Sequence, residues 1–329
     1  MRTRKVTIKD IATEAGVSIA LVSFVMNNKA DGKETYRVNK ETAQRILEVA
    51  EKLNYQPNNA ARTLRSGKTN TIGVIVSDIS NKFFADIARC IEDRAYKHKY
   101  TVLFGSTDEN PQKLENLIEV FRNKGIDGLI IVPCEGADEI IRNVALQNIP
   151  VVLLDREVPD TELSSVVLNN RRAGVETTQA LIRQGFTRIE MISYSMNLSN
   201  IREREEGYRF CMTEAGLSDR INIHHLRHDK LGKIDEIVRD AKMRNVEAFV
   251  FATNTLAANG LTAIFRNGWR VPQDFAMACF DSNEAFDIYK TAVAYVRQPI
   301  ERIRIVLTPE IVESGIPGRE TEISQLIEE

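Results

Sequence analysis

The chain has 329 residues, 43% of them hydrophobic, and a formal charge of −2; this length buries more than one core and excludes a single small module. No stretch approaches the roughly 18 apolar residues of a spanning helix, and Met1-Arg-Thr-Arg-Lys-Val-Thr-Ile8 has no apolar run behind its charges, so a cytoplasmic protein is expected. Residues 1–68 hold 13 Lys and Arg against 7 Asp and Glu, a net of +6, while the remainder carries −8, which concentrates positive charge where a polyanion meets it.

Thr7 followed three positions later by Asp10 is a capping box, and Ile8, Ile11, Ala12 and Ala15 recur behind it at helical spacing. A short amphipathic helix is predicted there, stopping at Gly16. Ser18 caps a second helix with Leu21, Val22, Val25 and Met26 as its inward stripe, running until Asn27-Asn28. Two short helices joined through one glycine make a helix-turn-helix. The second leaves Ile19, Ala20, Ser23, Phe24 and Asn27 outward, short enough near its start to enter a major groove and touch base edges; an alternative turns Phe24 inward as core. Asn39 caps a third helix, whose Ala43, Ile46, Leu47, Ala50 and Leu53 give the first two a surface to pack on, and it ends at Asn54-Tyr-Gln-Pro57. Beyond the proline, Asn58 to Ser66 has only Ala60, Ala61 and Leu64 to bury. So short a helix forms only against a partner, and a plain linker is the other option.

From Thr71 onward, β-branched runs alternate with helical stretches: Ile72 to Val76, Thr101 to Phe104, Leu129 to Val132, Val151 to Leu154, Ile189 to Ile192, Phe249 to Ala252 and Ala276 to Phe280. Alternation of this kind predicts parallel sheet with helices on both faces, and the length allows two sheets. Gly125, Gly185 and Gly268 fall where a glycine past a helix end turns the chain. Ligands of open α/β sheets bind at the carboxyl ends of the strands, which makes polar residues just after the strands the candidate site. These are Asp78 with Asn81-Lys-Phe83-Phe84, Asp155-Arg156, Asn254 and Asp281, together with Arg204 ahead of Gly207-Tyr208 on the helix after the Ile189 run. Carboxylates and amides bond to hydroxyls, aromatic faces stack on sugar rings or bases, and an arginine anchors a polar ligand. Taken singly, each is equally a turn residue or helix cap.

His224, His225 and His228 are close enough in sequence to suggest a metal. If Ile221 to His225 is a strand, His224 and His225 point to opposite faces and cannot share one ion; a loop near the cleft mouth, with one histidine touching ligand or solvent, is preferred, and no metal is expected. Cys90, Cys134, Cys211 and Cys279 stand singly among apolar neighbours, as buried thiols do, so neither disulfide nor zinc is expected. G-x-G-x-x-G, G-x-x-x-x-G-K, G-x-S-x-G and H-E-x-x-H are absent, and neither an enzyme nor a cofactor is expected.

Val6-Thr-Ile-Lys-Asp-Ile-Ala-Thr-Glu-Ala-Gly-Val-Ser18, Val22-Ser23, Asn54-Tyr-Gln-Pro-Asn58 and Ala61-Arg-Thr-Leu64 resemble, in order and spacing, the signature of the LacI/GalR family of bacterial transcription regulators. The resemblance implies an α/β protein with an N-terminal helix-turn-helix headpiece and two doubly wound parallel-sheet subdomains of the periplasmic-binding-protein type. The implied divisions are a DNA-binding domain over 1–57, a hinge over 58–68, and an effector-binding core over 69–329. Within that core the N-subdomain takes about 70–165 plus 297–329, and the C-subdomain about 166–296.

It also implies a homodimer on a near-palindromic double-stranded operator, with hinge helices folding against each other on DNA and Leu64 wedged into the central minor-groove step. Ile19, Ala20 and Phe24 then face bases, Ser18, Ser23, Asn27, Arg37 and Tyr55 face phosphates, and Thr7, Asn58 and Ala61 complete the DNA-contacting set. None of the three base-facing side chains makes a bidentate hydrogen bond, so apolar contact with thymine methyl groups is the readout left to them, with more reliance on DNA shape. The effector set implied by the resemblance is Asp78, Phe83, Phe84, Asp155, Arg204, Asn254 and Asp281, for a sugar or sugar phosphate first and a purine second. Thr255 departs from the family's usual acidic residue and Asn169-Asn170 from a more typical Asp-Asn. After Gln298-Pro299-Ile-Glu-Arg-Ile303, the long helix expected of a relative is missing and Arg304 to Ser314 follows directly, which uncovers apolar surface or forces rearrangement.

Overall fold

The computed structural model describes residues 6–31, 38–56, 63, 67–288, 293–298 and 321–322. The chain divides into two compact units, Met1–Gly67 and Lys68–Glu329.

Three helices make the first unit: α1 (Ile8–Ala15), α2 (Ile19–Asp31) and α3 (Lys40–Lys52). Their starts follow the predicted chemistry. The Asp10 carboxylate accepts from Thr7 N–H at 2.8 Å and Thr7 Oγ1–H at 2.7 Å, Ser18 Oγ accepts from Leu21 N–H at 3.2 Å, and Asn39 Oδ1 accepts from Glu41 N–H at 2.9 Å, each satisfying an amide the helix leaves unpaired. Gly16 stops α1 in the left-handed region at φ 65°. The second helix runs past the expected stop at Asn27-Asn28 to Asp31. Asparagine lowers helix stability by only about 0.7 kcal/mol, and the sequence meets no glycine until Gly32. Ile11, Val22, Val25 and Ile46 are buried with Ala12, Ala15, Ala43 and Ala50, whose small side chains let the three helices approach.

The second unit holds two all-parallel sheets. The first is built from β1 (Thr71–Val76), β2 (Thr101–Ser106), β3 (Gly128–Ile131), β4 (Val151–Leu154) and β5 (Ser164–Val167), in the order β5-β4-β3-β1-β2. Its helices are α4 (Lys82–Lys97), α5 (Pro111–Asn123) and α6 (Asp138–Ala145). The chain then builds α7 (Asn170–Ile182), β6 (Ile189–Tyr194), α8 (Ser199–Glu214), β7 (Ile223–Leu226), α9 (Ile234–Met243), β8 (Ala248–Phe251), α10 (Asn254–Arg266), β9 (Ala276–Phe280), α11 (Glu284–Ile288) and β10 (Ala294–Val296). The second sheet has the order β10-β9-β8-β6-β7. A two-residue strand, β11 (Thr321–Glu322), pairs with β5 at the edge of the first sheet. Pro299 to Ser314, where a long helix is expected to be missing, lies outside the described residues.

Besides the two-residue β11, three strands escape the hydrophobic pattern. β5 and β10 are short and only partly buried, too brief for a period to register. β7 replaces the loop expected over Ile221 to His225: it pairs with β6 in the register Met191↔Ile223 and Ile192↔His224, and as the sheet's last strand it tolerates polar side chains. His224 and His225 alternate across it, reaching Glu190 at 2.8 Å and Glu205 at 3.0 Å respectively. Cys134, Cys211 and Cys279 are buried, but Cys90 is partly exposed, a correction to its expected burial. Among the described residues no three His, Cys, Asp or Glu side chains are grouped to hold a metal ion, and no helix is long and apolar enough to cross a membrane.

Candidate functional site

In each sheet the strand order reverses once, between β1 and β3 and between β6 and β8, and such switch points open a crevice at the carboxyl ends. A cavity of about 380 Å³ lies there, inside the size range of small-molecule sites. Ser77 and Asp78 reach it after β1, Glu109 after β2, Asp155 and Arg156 after β4, Tyr194 at the end of β6, Thr253 and Asn254 after β8, Asp281 after β9 and Gln298 after β10. All seven residues named from sequence, Asp78, Phe83, Phe84, Asp155, Arg204, Asn254 and Asp281, line this one cavity.

Their commitments differ. Asp78 caps its own turn, Oδ1 accepting from Ser80 N–H at 2.8 Å and Ser80 Oγ–H at 2.6 Å. Phe83 and Phe84 form an edge-to-face pair with ring centroids 4.9 Å apart; both are buried against the first sheet. Asp155 and Asp281 take left-handed φ of 67° and 62°, strain that concentrates at ligand sites. Asp155 Oδ2 accepts from Asn200 Nδ2–H at 3.0 Å, while its buried Oδ1 has no partner among the described residues. Asp281 is held by Gln298, whose Nε2–H donates to Oδ2 at 2.7 Å. Burial pushes both carboxyls above the usual carboxylate range, opposed by Arg156 and Arg204 at Asp155 and by Arg204 at Asp281.

Arg204, only 3% exposed, donates through Nε to Asn170 Oδ1 at 2.9 Å and through Nη1 to the Ala252 carbonyl at 2.8 Å. Its guanidinium lies 4.2 Å from the Phe280 ring centroid, close enough for a cation–π contact. Burial lowers its pKa, with Asp155 and Asp281 pulling the other way. Glycine sets its position: a Cβ at Gly174 on α7 would collide with the Arg204 carbonyl, and one at Gly207 on α8 with that of Arg171. Only glycine at both positions lets the two helices approach this closely. Asn254, first residue of α10, reaches toward Asn81 Oδ1 and the Ser282 carbonyl, each at 3.5 Å.

Sequence reasoning left Glu109, Tyr194, Asn200 and Gln298 out of the site. Glu109 and Tyr194 obey the strand-end rule, Gln298 obeys it after a strand, β10, too short to be read from sequence, and Asn200 carries no sequence signal of its own. Arg156, noted only beside Asp155, is gripped by Glu109 through two bonds of 2.9 and 2.7 Å. Burial disfavours its charge, yet Glu109 outweighs this and holds the guanidinium above its ordinary value. Of the three clustered histidines, His228 lines the cavity.

In the headpiece, Ile19 and Phe24 are 52% and 38% exposed and Ala20 is exposed, so the alternative of an inward Phe24 does not hold. Ser18 is exposed, Ser23 half-buried, Thr7 engaged with Asp10, and Tyr55 packs against the three-helix core. The Asn27 side chain, Arg37, Asn58, Ala61 and Leu64 lie outside the described residues.

A positively charged helix-turn-helix unit in one chain with an α/β unit whose strand ends enclose a polar cavity defines a DNA-binding regulator with a ligand-binding domain. Residues 7–58 match the bacterial regulatory proteins of the lacI family, and residues 69–296 match the periplasmic binding proteins and sugar binding domain of the LacI family. The chain is 30% identical to the HTH-type transcriptional regulator RegA of Clostridium saccharobutylicum, over 89% of this chain and 87% of that protein. It is also 30% identical to catabolite control protein A of Priestia megaterium, over 94% and 95%. A crystal structure of the lac repressor dimer bound to operator and an anti-inducer superposes with a TM-score of 0.77 at 21% identity, covering 91% of this chain and 89% of that one, which shows the shared fold. The chain belongs to the lacI family: it is a DNA-binding transcription regulator with a ligand-binding domain, and not an enzyme.

Proposed function

We propose that this chain is a cytoplasmic, homodimeric repressor that binds a near-palindromic operator and is switched by a neutral sugar in the strand-end cavity. In this scheme residues 1–57 bind DNA, 58–68 form the hinge and 69–329 the effector core, with subdomains of about 70–165 plus 297–329 and about 166–296.

The observation that carries the effector class is the charge balance around Arg204. Glu109 occupies Arg156 through two hydrogen bonds, and among the described residues Arg204 Nη2 is left without a protein partner. Both Asp155 and Asp281 act electrostatically on that guanidinium. One donor arm beside two carboxyls, with the Asn254 amide and the Phe83, Phe84 and Tyr194 rings on the walls, suits a polyhydroxyl ring better than a phosphate, which the carboxylates repel. The sugar binding domain named by the family matched over residues 69–296 supports the same class.

Hydrogen bonds join the two halves around the cavity, among them Asn200 Nδ2–H to Asp155 Oδ2 at 3.0 Å, Glu157 N–H to Ser199 Oγ at 3.0 Å, Asn197 N–H to Glu135 Oε1 at 2.8 Å and Asn81 Nδ2–H to Thr255 Oγ1 at 3.4 Å. A ligand that engages both sides shifts the balance between open and closed arrangements, and operator affinity follows from its unequal affinity for the two. Selection of bound sequences from a random DNA pool tests this, repeated with neutral sugars, sugar phosphates and purine bases. A palindrome is expected to be enriched, and one neutral sugar to change its yield. A pool without palindromic enrichment contradicts the regulator; a response confined to phosphates or purines contradicts the effector class.

A further inference from the structure

Among the described residues of α2, the exposed side chains nearest its start, Ile19, Ala20 and Phe24, carry no hydrogen-bonding group. Ile19 and Ala20 stand in its first turn and Phe24 one turn on, all exposed. Val22 and Val25, at 0% and 1% exposure, fix the rotation of the helix, so this face cannot turn inward without expelling them. Ser18 Oγ accepts from Leu21 N–H and serves the helix start; Ser23 is half-buried.

We propose that α2 reads its operator through the 5-methyl groups of thymine, with Ile19, Ala20 and Phe24 packed on methyls in the major groove and none of the three hydrogen-bonding a base edge. This rests on the operator binding proposed above. Among the bases only thymine offers an apolar group in that groove; guanine presents two acceptors, adenine an acceptor and a donor, and cytosine a donor. Against those edges Ile19 and Phe24 leave desolvated polar groups unpaired, a penalty and not merely a missed gain. The face therefore selects by attraction to thymine and by exclusion of G·C. Duplex DNA is the occupant because residues 1–68 carry +6, because residues 7–58 match the lacI regulators, and because the N-terminal residues of a second helix in this motif are those that touch base edges.

The test uses the full chain and the site it enriches from a random pool. Replacing each thymine singly by deoxyuridine removes a methyl and nothing else. Two or three positions per half-site are expected to lose about fourfold in affinity each, the factor one buried methyl is worth. Phe24→Ala is expected to abolish that loss at one of them while leaving headpiece melting unchanged, since Phe24 is not part of its core; Ile19→Ala does the same at a neighbouring position. Uracil-substituted sites that all bind as tightly as the parent, or half-sites with G·C opposite α2, overturn the proposal and leave operator binding standing. A Phe24→Ala chain whose sedimentation changes while its DNA affinity does not marks the face as a protein contact, which also overturns it. If no sequence is enriched, both this proposal and operator binding fall.

Discussion

In the headpiece, Asp10, Ser18 and Asn39 commit hydrogen bonds to helix starts, the fully buried side chains are aliphatic, and Ile19, Ala20 and Phe24 are turned outward on α2. The ligand-binding unit does the reverse: it buries Asp155, Arg156, Arg204 and Asn254 and turns several of their polar atoms toward a cavity. A buried charge is tolerated only when its partners are in place. So in the second unit the residues that shape the site also bear on stability, whereas in the first the exposed Ile19, Ala20 and Phe24 can change without touching the core.

The sharpest way to break that contrast is Glu109→Gln, which removes the carboxylate that grips the buried Arg156 guanidinium and leaves it the Pro133 carbonyl and Asp155. It is expected to destabilise the ligand-binding unit by about 3–5 kcal/mol. Trp269, the chain's single tryptophan, packs edge-on against Phe275 at 5.8 Å between centroids in that unit, and its fluorescence reports the denaturant midpoint. Equal loss of headpiece stability would contradict the separation.

Acid gives the next largest effect. Burial raises the Glu190 carboxyl, but bonds from His224, Arg244 and Asn222 outweigh it and bring the group from 4.5 down to about 2. A folded value below the unfolded one means the stabilisation is present above pH 4.5 and drains away as pH falls toward 2, amounting to about 3 kcal/mol. Glu190→Gln should flatten that part of the stability curve while lowering stability at neutral pH. An unchanged acid slope would show that the cluster is not coupled to folding.

Gly174→Ala tests the joint between stability and site. Its Cβ meets the Arg204 carbonyl, and overpacking of this kind costs about 1–3 kcal/mol. Calorimetry should show a lower Tm together with weaker sugar binding, since α8 carries Arg204; a lower Tm with undiminished binding would separate the two. Smallest is Ser18→Ala, expected to remove about 1 kcal/mol from the headpiece alone, seen as a helix transition that shifts while Trp269 fluorescence does not.

Legibility followed the same divide. Caps and stripes within a few residues of one another specify the headpiece, and Thr7, Ser18 and Asn39 stand where their types require. In the ligand-binding unit, the rule that ligands sit after strand ends singles out Asp78, Phe83, Phe84, Asp155, Asn254 and Asp281, while Arg204 stands within α8 and enters the set through the family resemblance; all seven line one cavity. Glu109 and Tyr194 also stand at strand ends but are not singled out, whereas Asn200 and Gln298 take their roles from Asp155 and Asp281, 45 and 17 positions away, Gln298 behind a strand too short to read. The sequence pattern also misjudges Ile223–Leu226, where two histidines disguise a strand at the end of the sheet. Phe24 was readable as outward or inward from its spacing; only the packing of Val22 and Val25 decides it.

The most direct measurement is operator affinity of the full chain as a function of added sugar, on the sequence enriched from the pool. A change of about fivefold or more is expected at saturation, with Arg204→Lys, which retains the charge but loses the free arm, requiring about tenfold more sugar for the same effect. A sugar that fills the cavity without moving operator affinity, or an Arg204→Lys chain that responds at the original concentration, would contradict this expectation.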